Sequence, residues 1–156
     1  MTDDRTATVV WLKRWAPALG WAVAISIFST HVFTADNTGR FIIPILHWMF
    51  PAVSAVTLEH MHFFIRKCGH FTEYFLLSLL ILHGFRAGHS TMRLKWALIV
   101  VLIVGAYASL DEFHQRFVPG RTAAVSDVVL DTIGGTVAQL TAGLVFLTRK
   151  REQNEA

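Results

Sequence analysis

Nine ionisable or strongly polar side chains lie at or just inside the ends of three otherwise apolar segments of this 156-residue chain. Such groups cost free energy in contact with hydrocarbon, so within membrane segments they mark ligand sites, proton relays or ion-pair networks. The set therefore predicts one polar site in a membrane protein. Its members are Lys67, His70, Glu73, Asp111, Glu112, Gln115, Arg121, Asp127 and Asp131.

Helical spacing would bring several of these side chains together within each segment. Lys67, His70 and Glu73 recur every three residues, so neighbouring members can touch along one flank of a helix. Asp127 and Asp131 are four residues apart, which places two carboxylates on one face, about 6 Å apart along the helix axis. Both should therefore point at the same neighbouring helix.

The residue types allow three kinds of role. His70 is the natural proton carrier because histidine titrates near neutral pH, and Glu73 and Asp131 are the other candidates for acid–base catalysis. Arg121 could hold a phosphate as a planar, bidentate donor. In the structural alternative, the five acids and the bases Lys67 and Arg121 only lock the helices together.

Metal and cofactor binding are not assigned. No His-x-x-x-His or Glu-x-x-His pair lies within a span, and the chain has one cysteine. His60 and His62 are two residues apart and are expected to be solvated on a surface helix. No Gly-x-Ser-x-Gly elbow or phosphate-binding P-loop is present, so serine hydrolases and nucleotide-driven enzymes lack support.

The composition indicates an integral membrane protein. Hydrophobic residues make up 53% of the chain and charged residues 16%, and the mean hydropathy is +0.46. This apolar content exceeds what one soluble core of this length can bury. The net charge of +3 comes from basic residues scattered among apolar blocks. No basic stripe interleaved with aromatic residues exists, so nucleic acid is not a predicted partner.

Four segments are apolar and long enough to cross a bilayer, within a single domain of residues 1–156. A hydrocarbon core of about 30 Å needs about 20 helical residues, and the predicted spans are 17–35, 67–86, 94–112 and 126–148. Pro44 and Pro51 interrupt the stretch that follows the first span, so residues 41–65 should form short interfacial or re-entrant helices. The predicted fold class is an all-α, polytopic membrane bundle of four spans plus these short helices.

The distribution of basic residues predicts the orientation. With the N-terminus inside, nine of the fourteen Lys and Arg residues lie on the cytoplasmic side. This predicts a multi-pass protein of the cytoplasmic (inner) membrane with both termini in the cytoplasm. The polar ends of the last three spans would then meet at the outer side. Pro119 and Gly120 predict a type II turn between the last two spans, with Ser126 as N-cap of the fourth.

The motifs resemble those of the VanZ-like membrane proteins, a family named for a teicoplanin-resistance protein. Lys67-Cys-Gly-His70 is similar to the family's lysine-x-glycine-histidine motif. The later stretch from Ser109 to Gly135 is similar to its Asp-Glu-x-x-Gln, Pro-x-Arg and paired-Asp signature, and the resemblance covers residues 65–143. It implies a polytopic protein of the cytoplasmic membrane, with a founding member linked to low-level resistance to a glycopeptide antibiotic that acts on cell-wall precursors.

The leading interpretation is a protein that binds an anionic or lipid-linked envelope ligand and influences envelope properties or glycopeptide sensitivity. Its partners would be membrane lipids and a lipid-linked envelope precursor. Lys67 and Arg121 would contact the anion, His70 and Glu73 would form a proton-coupled pair, and the acids of the last two spans would orient the bases. The alternatives are an enzyme acting on a lipid-linked phosphate and a purely structural charge clamp.

Overall fold

The computed structural model describes residues 4–87, 89 and 92–155, and every regular element in these ranges is helical, which confirms the all-α class. The predicted domain also contains residues 1–3, 88, 90–91 and 156, which lie outside the described residues. The helices are α1 (Asp4–Phe28), α2 (Ala35–Met49), α3 (Ala55–Arg86), α4 (Leu94–Gln115) and α5 (Val125–Glu155). A 3-10 turn, His31–Phe33, lies between α1 and α2.

Two helices are long and apolar enough to cross a membrane by themselves: α4 and the Val125–Gln153 part of α5. A third candidate consists of α1 and α2 together, bent by 64° at the 3-10 turn. The described chain therefore has the helices of a membrane protein. It has two candidate spans, or three when the bent α1–α2 pair is counted as one span. The helix α3, which contains the predicted span 67–86, is not in this set because His70, Glu73 and His83 interrupt its apolar half.

Residues 35–66 form a helical hairpin, here called the α2–α3 hairpin, rather than a series of short helices. The helix α2 continues through Pro44 and ends before Pro51. The helix α3 begins after Ser54, whose hydroxyl accepts a hydrogen bond from the Thr57 amide (3.3 Å). No proline interrupts the next 32 residues. The expected separate helix before the second span is therefore the first three turns of α3.

Two consecutive glycines bring α5 close to both α3 and α4. A Cβ atom at Gly134 would lie 2.6 Å from the carbonyl oxygen of Phe71, and one at Gly135 would lie 2.7 Å from Val104 Cγ1. The backbone of α5 therefore rests directly on its neighbours, as small residues permit in membrane bundles. Beside this contact lies the apolar core, which includes the fully buried Tyr74 and Val100.

A buried polar network also joins α3 to α5. The Ser78 hydroxyl donates to the Gly135 carbonyl oxygen (2.8 Å). The Gln139 side-chain amide donates to the Ser78 hydroxyl (2.8 Å) and to the Ser78 carbonyl oxygen (3.2 Å). Both side chains are buried. Because buried polar groups need partners, this network fixes the position of α5 along α3.

The helix α1 packs antiparallel to α3. The Trp15 ring lies against Gly84, and the Trp21 indole nitrogen donates to the Glu73 carbonyl oxygen (2.9 Å). The C-terminal end of α1 therefore reaches the level of the polar half of α3.

The glycine contact predicts a strong and local packing effect. We expect Gly134→Val to lower the melting temperature in detergent, because a side chain there must displace the α3 backbone, and overpacking costs about 1–3 kcal/mol. The matched control is Gly143→Val, where the nearest neighbouring atom to a new Cβ, Met92 Sδ, is 3.8 Å away. Equal melting temperatures for the two variants would contradict the close approach.

The Ser78 network predicts an effect that is partly reversible. We expect Ser78→Ala to destabilise the protein by about 1–3 kcal/mol, because the buried Gln139 amide loses its hydroxyl partner. The amide keeps its contact with the backbone carbonyl oxygen of residue 78. Adding Gln139→Leu removes the amide that has lost its hydroxyl partner and should restore part of the loss. The measurement is a double-mutant cycle by thermal denaturation in detergent, and additive losses in the double variant would refute the coupling.

Candidate functional site

The polar residues predicted from the sequence gather where the C-terminal ends of α1 and α4, the middle of α3 and the N-terminal end of α5 meet. An ion pair between Lys67 and Asp127 joins α3 to α5. The Ser29 hydroxyl, just after α1, donates to Asp111 Oδ1 on α4 (2.5 Å). Four helices thus contribute to one polar region.

The turn between α4 and α5 positions Arg121. Gly120 has a φ of +77°, and the Arg121 amide donates to the Val118 carbonyl oxygen (3.1 Å). These two features confirm the predicted type II turn, in which the third residue needs a positive φ. The guanidinium of Arg121 then reaches back to α1, where it donates to the carbonyl oxygens of Phe28 and, at 3.4 Å, of Thr30.

The start of α5 differs from the expectation. The helix begins at Val125, so Ser126 lies in its first turn and is not the N-cap. The Ser126 hydroxyl instead donates to Asp127 Oδ1 (3.3 Å). Glu112 of α4 accepts a hydrogen bond from the Ala124 amide (2.8 Å). A side chain from another helix thus supplies the acceptor at this helix start, which local sequence cannot reveal.

Asp111 and Gln115 form a closed network with Ser29. The Gln115 side-chain amide donates to Asp111 Oδ2 (2.9 Å) and to the Ser29 hydroxyl (3.3 Å). All three side chains are buried. The three side chains hydrogen-bond to one another. Asp111 and Gln115 of α4 therefore hold the C-terminal end of that helix against Ser29, just after α1.

His70 and Asp131 face each other across α3 and α5. His70 Nδ1 lies 3.7 Å from Asp131 Oδ1, which is too long for a hydrogen bond. Asp131 is fully buried, and neither its carboxylate oxygens nor His70 Nδ1 has a hydrogen-bond partner among the described residues. A small approach of the two side chains would form a histidine–aspartate pair.

A cavity of about 240 Å³ lies beside this pair. Three of the nine predicted residues line it: His70, Glu73 and Arg121. The other six are not on its wall and lie between the helices. They are Lys67, Asp111, Glu112, Gln115, Asp127 and Asp131. The remaining lining residues are Phe28, Ser29, Phe33, Thr38, Arg66 and Gly69.

Arg66 takes the place that the sequence interpretation gave to Lys67. Its guanidinium donates to the Phe33 carbonyl oxygen (2.9 Å) and to the Thr38 hydroxyl (3.0 Å) at the cavity wall. Successive helical residues point about 100° apart. Lys67 therefore turns toward Asp127 when Arg66 faces the cavity. The basic pair at 66–67 was visible in the sequence, but which member faces the cavity was not.

The two histidines expected to be solvated have different environments. His60 is exposed, whereas His62 is buried and its Nε2 lies 3.1 Å from the Thr38 hydroxyl oxygen. The expectation for His62 was wrong because α2 packs over it, with Gly39 against its ring. Within residues 4–87, 89 and 92–155, no group of three or more His, Cys, Asp or Glu side chains is placed to hold a metal.

Comparison with known proteins agrees with the motifs. No curated protein and no solved structure matches the chain. The family model described as VanZ/LLP1 matches residues 14–146, which include most of the chain and all of the polar residues above. The resemblance over residues 65–143 is thereby confirmed, and the match also includes α2 and α1 from residue 14 onward. This chain belongs to the VanZ/LLP1 family.

Proposed function

We propose that this protein binds the phosphate of an anionic envelope lipid or lipid-linked envelope precursor in the cavity, and that it thereby influences envelope properties and glycopeptide sensitivity. The supporting observation is the presence of two arginines, Arg66 and Arg121, on one cavity wall. Within the described part of the chain neither guanidinium forms an ion pair with a carboxylate.

The hydrogen-bonding state of these arginines favours an anionic ligand. Each has five N–H donors, and the contacts made by each go to backbone carbonyl or hydroxyl oxygens. Arg121 Nε is buried without a partner in the part of the chain that the structure describes. A phosphate would accept from such donors in the bidentate geometry that arginine favours.

The charge of the cavity wall also supports an anion. Two guanidinium groups face one carboxylate, Glu73, on this wall. With His70 neutral, the wall carries a formal excess of one positive charge. An anion would reduce the repulsion between Arg66 and Arg121.

The proposal includes a membrane orientation. In the four-span arrangement, α3 crosses together with α1, α4 and α5, and both termini are cytoplasmic, as the excess of Lys and Arg on that side favours. The cavity then lies near the outer surface of the cytoplasmic membrane, at the depth where lipid phosphates begin. Envelope precursors are accessible from that side.

A second candidate, an enzyme acting on a lipid-linked phosphate, rests on the His70–Asp131 geometry. The His70 ring lies on the cavity wall with Asp131 behind it. An aspartate in this position can orient a histidine that serves as general base, and Arg121 would stabilise charge that develops on the phosphate. For this role, His70 Nδ1 and Asp131 Oδ1, which are 3.7 Å apart, would have to approach to hydrogen-bond distance.

The two arginines predict the binding test. Dihexanoyl phosphatidic acid, a short-chain phosphate monoester, is titrated against the purified protein in a non-ionic detergent. We expect Arg66→Gln and Arg121→Gln each to weaken binding at least about tenfold, because charge-assisted hydrogen bonds contribute about 1.5–3 kcal/mol.

The matched control is Arg116→Gln, a change of the same type at the exposed residue after α4. It should leave the dissociation constant unchanged. Unchanged affinity in both cavity variants, or an equal loss in the Arg116 variant, would contradict the proposal.

A separate experiment distinguishes binding from turnover. Wild-type protein and the His70→Gln and Asp131→Asn variants are incubated with an envelope-lipid extract and the products are analysed by mass spectrometry. We expect all three proteins to accumulate in the membrane and to leave the lipids unconverted. A new lipid species formed by the wild type and lost in the His70 variant would establish the enzyme instead. Failure of both variants to accumulate would favour the structural clamp.

A further inference from the structure

The α2–α3 hairpin carries large apolar side chains that the rest of the described chain leaves exposed. Trp48 is 83% exposed, Phe41 74% and Phe64 68%. Other large apolar residues exposed on the hairpin are Ile45, Met49, Phe50, Val56, Phe63 and Ile65. Exposed apolar surfaces of this kind mark contact sites for a membrane or a protein partner.

The faces of α2 indicate which apolar phase this is. Phe41, Ile45 and Trp48 share one exposed face at helical spacing. Asp36 and Arg40 lie on a separate exposed polar face, about 100–140° around the helix from Phe41. The third face packs against α3 through Gly39 and Leu46, which are buried. A helix with one apolar and one charged exposed face is typical of the headgroup region of a bilayer.

The length of α3 agrees with this placement. Its 32 residues extend over about 48 Å at 1.5 Å per residue. The bilayer with its headgroups is about 40–45 Å thick, and membrane helices tilt by about 20° on average. At this tilt the 20 residues from Lys67 to Arg86 extend over about 28 Å of the bilayer normal, close to the hydrocarbon thickness, and the first three turns of α3 over about 17 Å. When the part from Lys67 to Arg86 lies in the hydrocarbon, these three turns therefore begin at its outer boundary and rise through the headgroup layer.

The exposed surface of the hairpin is continuous with that of the predicted span. Phe64, Cys68 and Leu76 follow one another along the exposed side of α3, from the hairpin into the segment 67–86. Two cavity-lining side chains, Thr38 and Arg66, also belong to the hairpin. The same short unit thus carries the apolar surface and one wall of the cavity.

We infer that the α2–α3 hairpin lies in the outer headgroup layer with its apolar face toward the acyl chains, and that a lipid phosphate enters the cavity along it, directly from the bilayer. This inference rests on the proposed function and adds the source of the ligand. The acyl chains stay in the leaflet beside Phe41 and Trp48, and the phosphate moves between the two arginines.

The position of the hairpin is tested with cysteine labels. In a Cys68→Ser background, which removes the single native cysteine, Trp48→Cys and Asp36→Cys are compared in phosphatidylcholine nanodiscs. We expect the label at position 48 to be quenched by doxyl lipids and to react at least about tenfold more slowly with a charged maleimide than position 36. Equal reactivity of the two positions, or cross-linking of Trp48→Cys to a second copy of the chain, would overturn the inference.

The entry route is tested with lipids of different chain length. We expect the double variant Phe41→Ser, Trp48→Ser to weaken binding of dioleoyl phosphatidic acid in nanodiscs about tenfold. Its affinity for dihexanoyl phosphatidic acid in detergent should stay unchanged, which also shows that the cavity is intact. Unchanged binding of the long-chain lipid would refute entry along the hairpin.

The variant Arg121→Gln distinguishes a failure of the entry route from a failure of the proposed phosphate-binding function. It should weaken the binding of both lipids because both carry the phosphate. If Arg121→Gln weakens both lipids and the apolar variant weakens neither, the phosphate site stands and the entry route is wrong. If Arg121→Gln weakens neither lipid, the proposed function is wrong and the entry route fails with it.

Discussion

The structure depends on the need of charged groups near a bilayer core for a partner, a need that the buried Asp131 carboxylate leaves unmet in the described chain. The Lys67–Asp127 ion pair meets this need between α3 and α5. Asp111 meets it with Ser29 and Gln115. In these contacts four of the nine predicted polar residues, Lys67, Asp111, Gln115 and Asp127, hold helix ends together. The two arginines on the cavity wall donate only to neutral oxygen atoms in the described chain, and Arg121 Nε has no partner there. These free donors are the basis of the proposal that an anion binds in the cavity.

The polar region has a packed part and an open part. The acids of α4 and α5 fill the space between helices, as a clamp would, whereas His70, Glu73 and Arg121 face an open volume. These contacts also hold the cavity wall in place. Arg121 lies in the turn that joins α4 to α5, and Glu112 of α4 accepts a hydrogen bond from the amide of Ala124, the residue before α5. If an anion binds as proposed, a rigid setting of this kind would lower the cost of ordering the arginines around it.

Sequence reasoning was most successful where the signal was local. The helical class, the type II turn at Pro119–Gly120 and the family motifs follow from composition, from glycine's tolerance of positive φ and from residue spacing. It was less successful where packing decides. Pro44 did not end α2, His62 was covered by α2, and Arg66 rather than Lys67 faced the cavity. The outcome at each of these positions depends on a neighbouring helix that a linear pattern does not describe.

The central claim is that two guanidinium groups enclose one lipid phosphate. Solid-state NMR can measure it directly, through the dipolar coupling between arginine side-chain ¹⁵N and lipid ³¹P in membranes that contain phosphatidic acid. The account predicts phosphorus dephasing at hydrogen-bond contact in the wild type, reduced in Arg66→Gln and in Arg121→Gln and unaffected in Arg116→Gln. Dephasing that is absent in the wild type, or that persists when both cavity arginines are replaced, would contradict it.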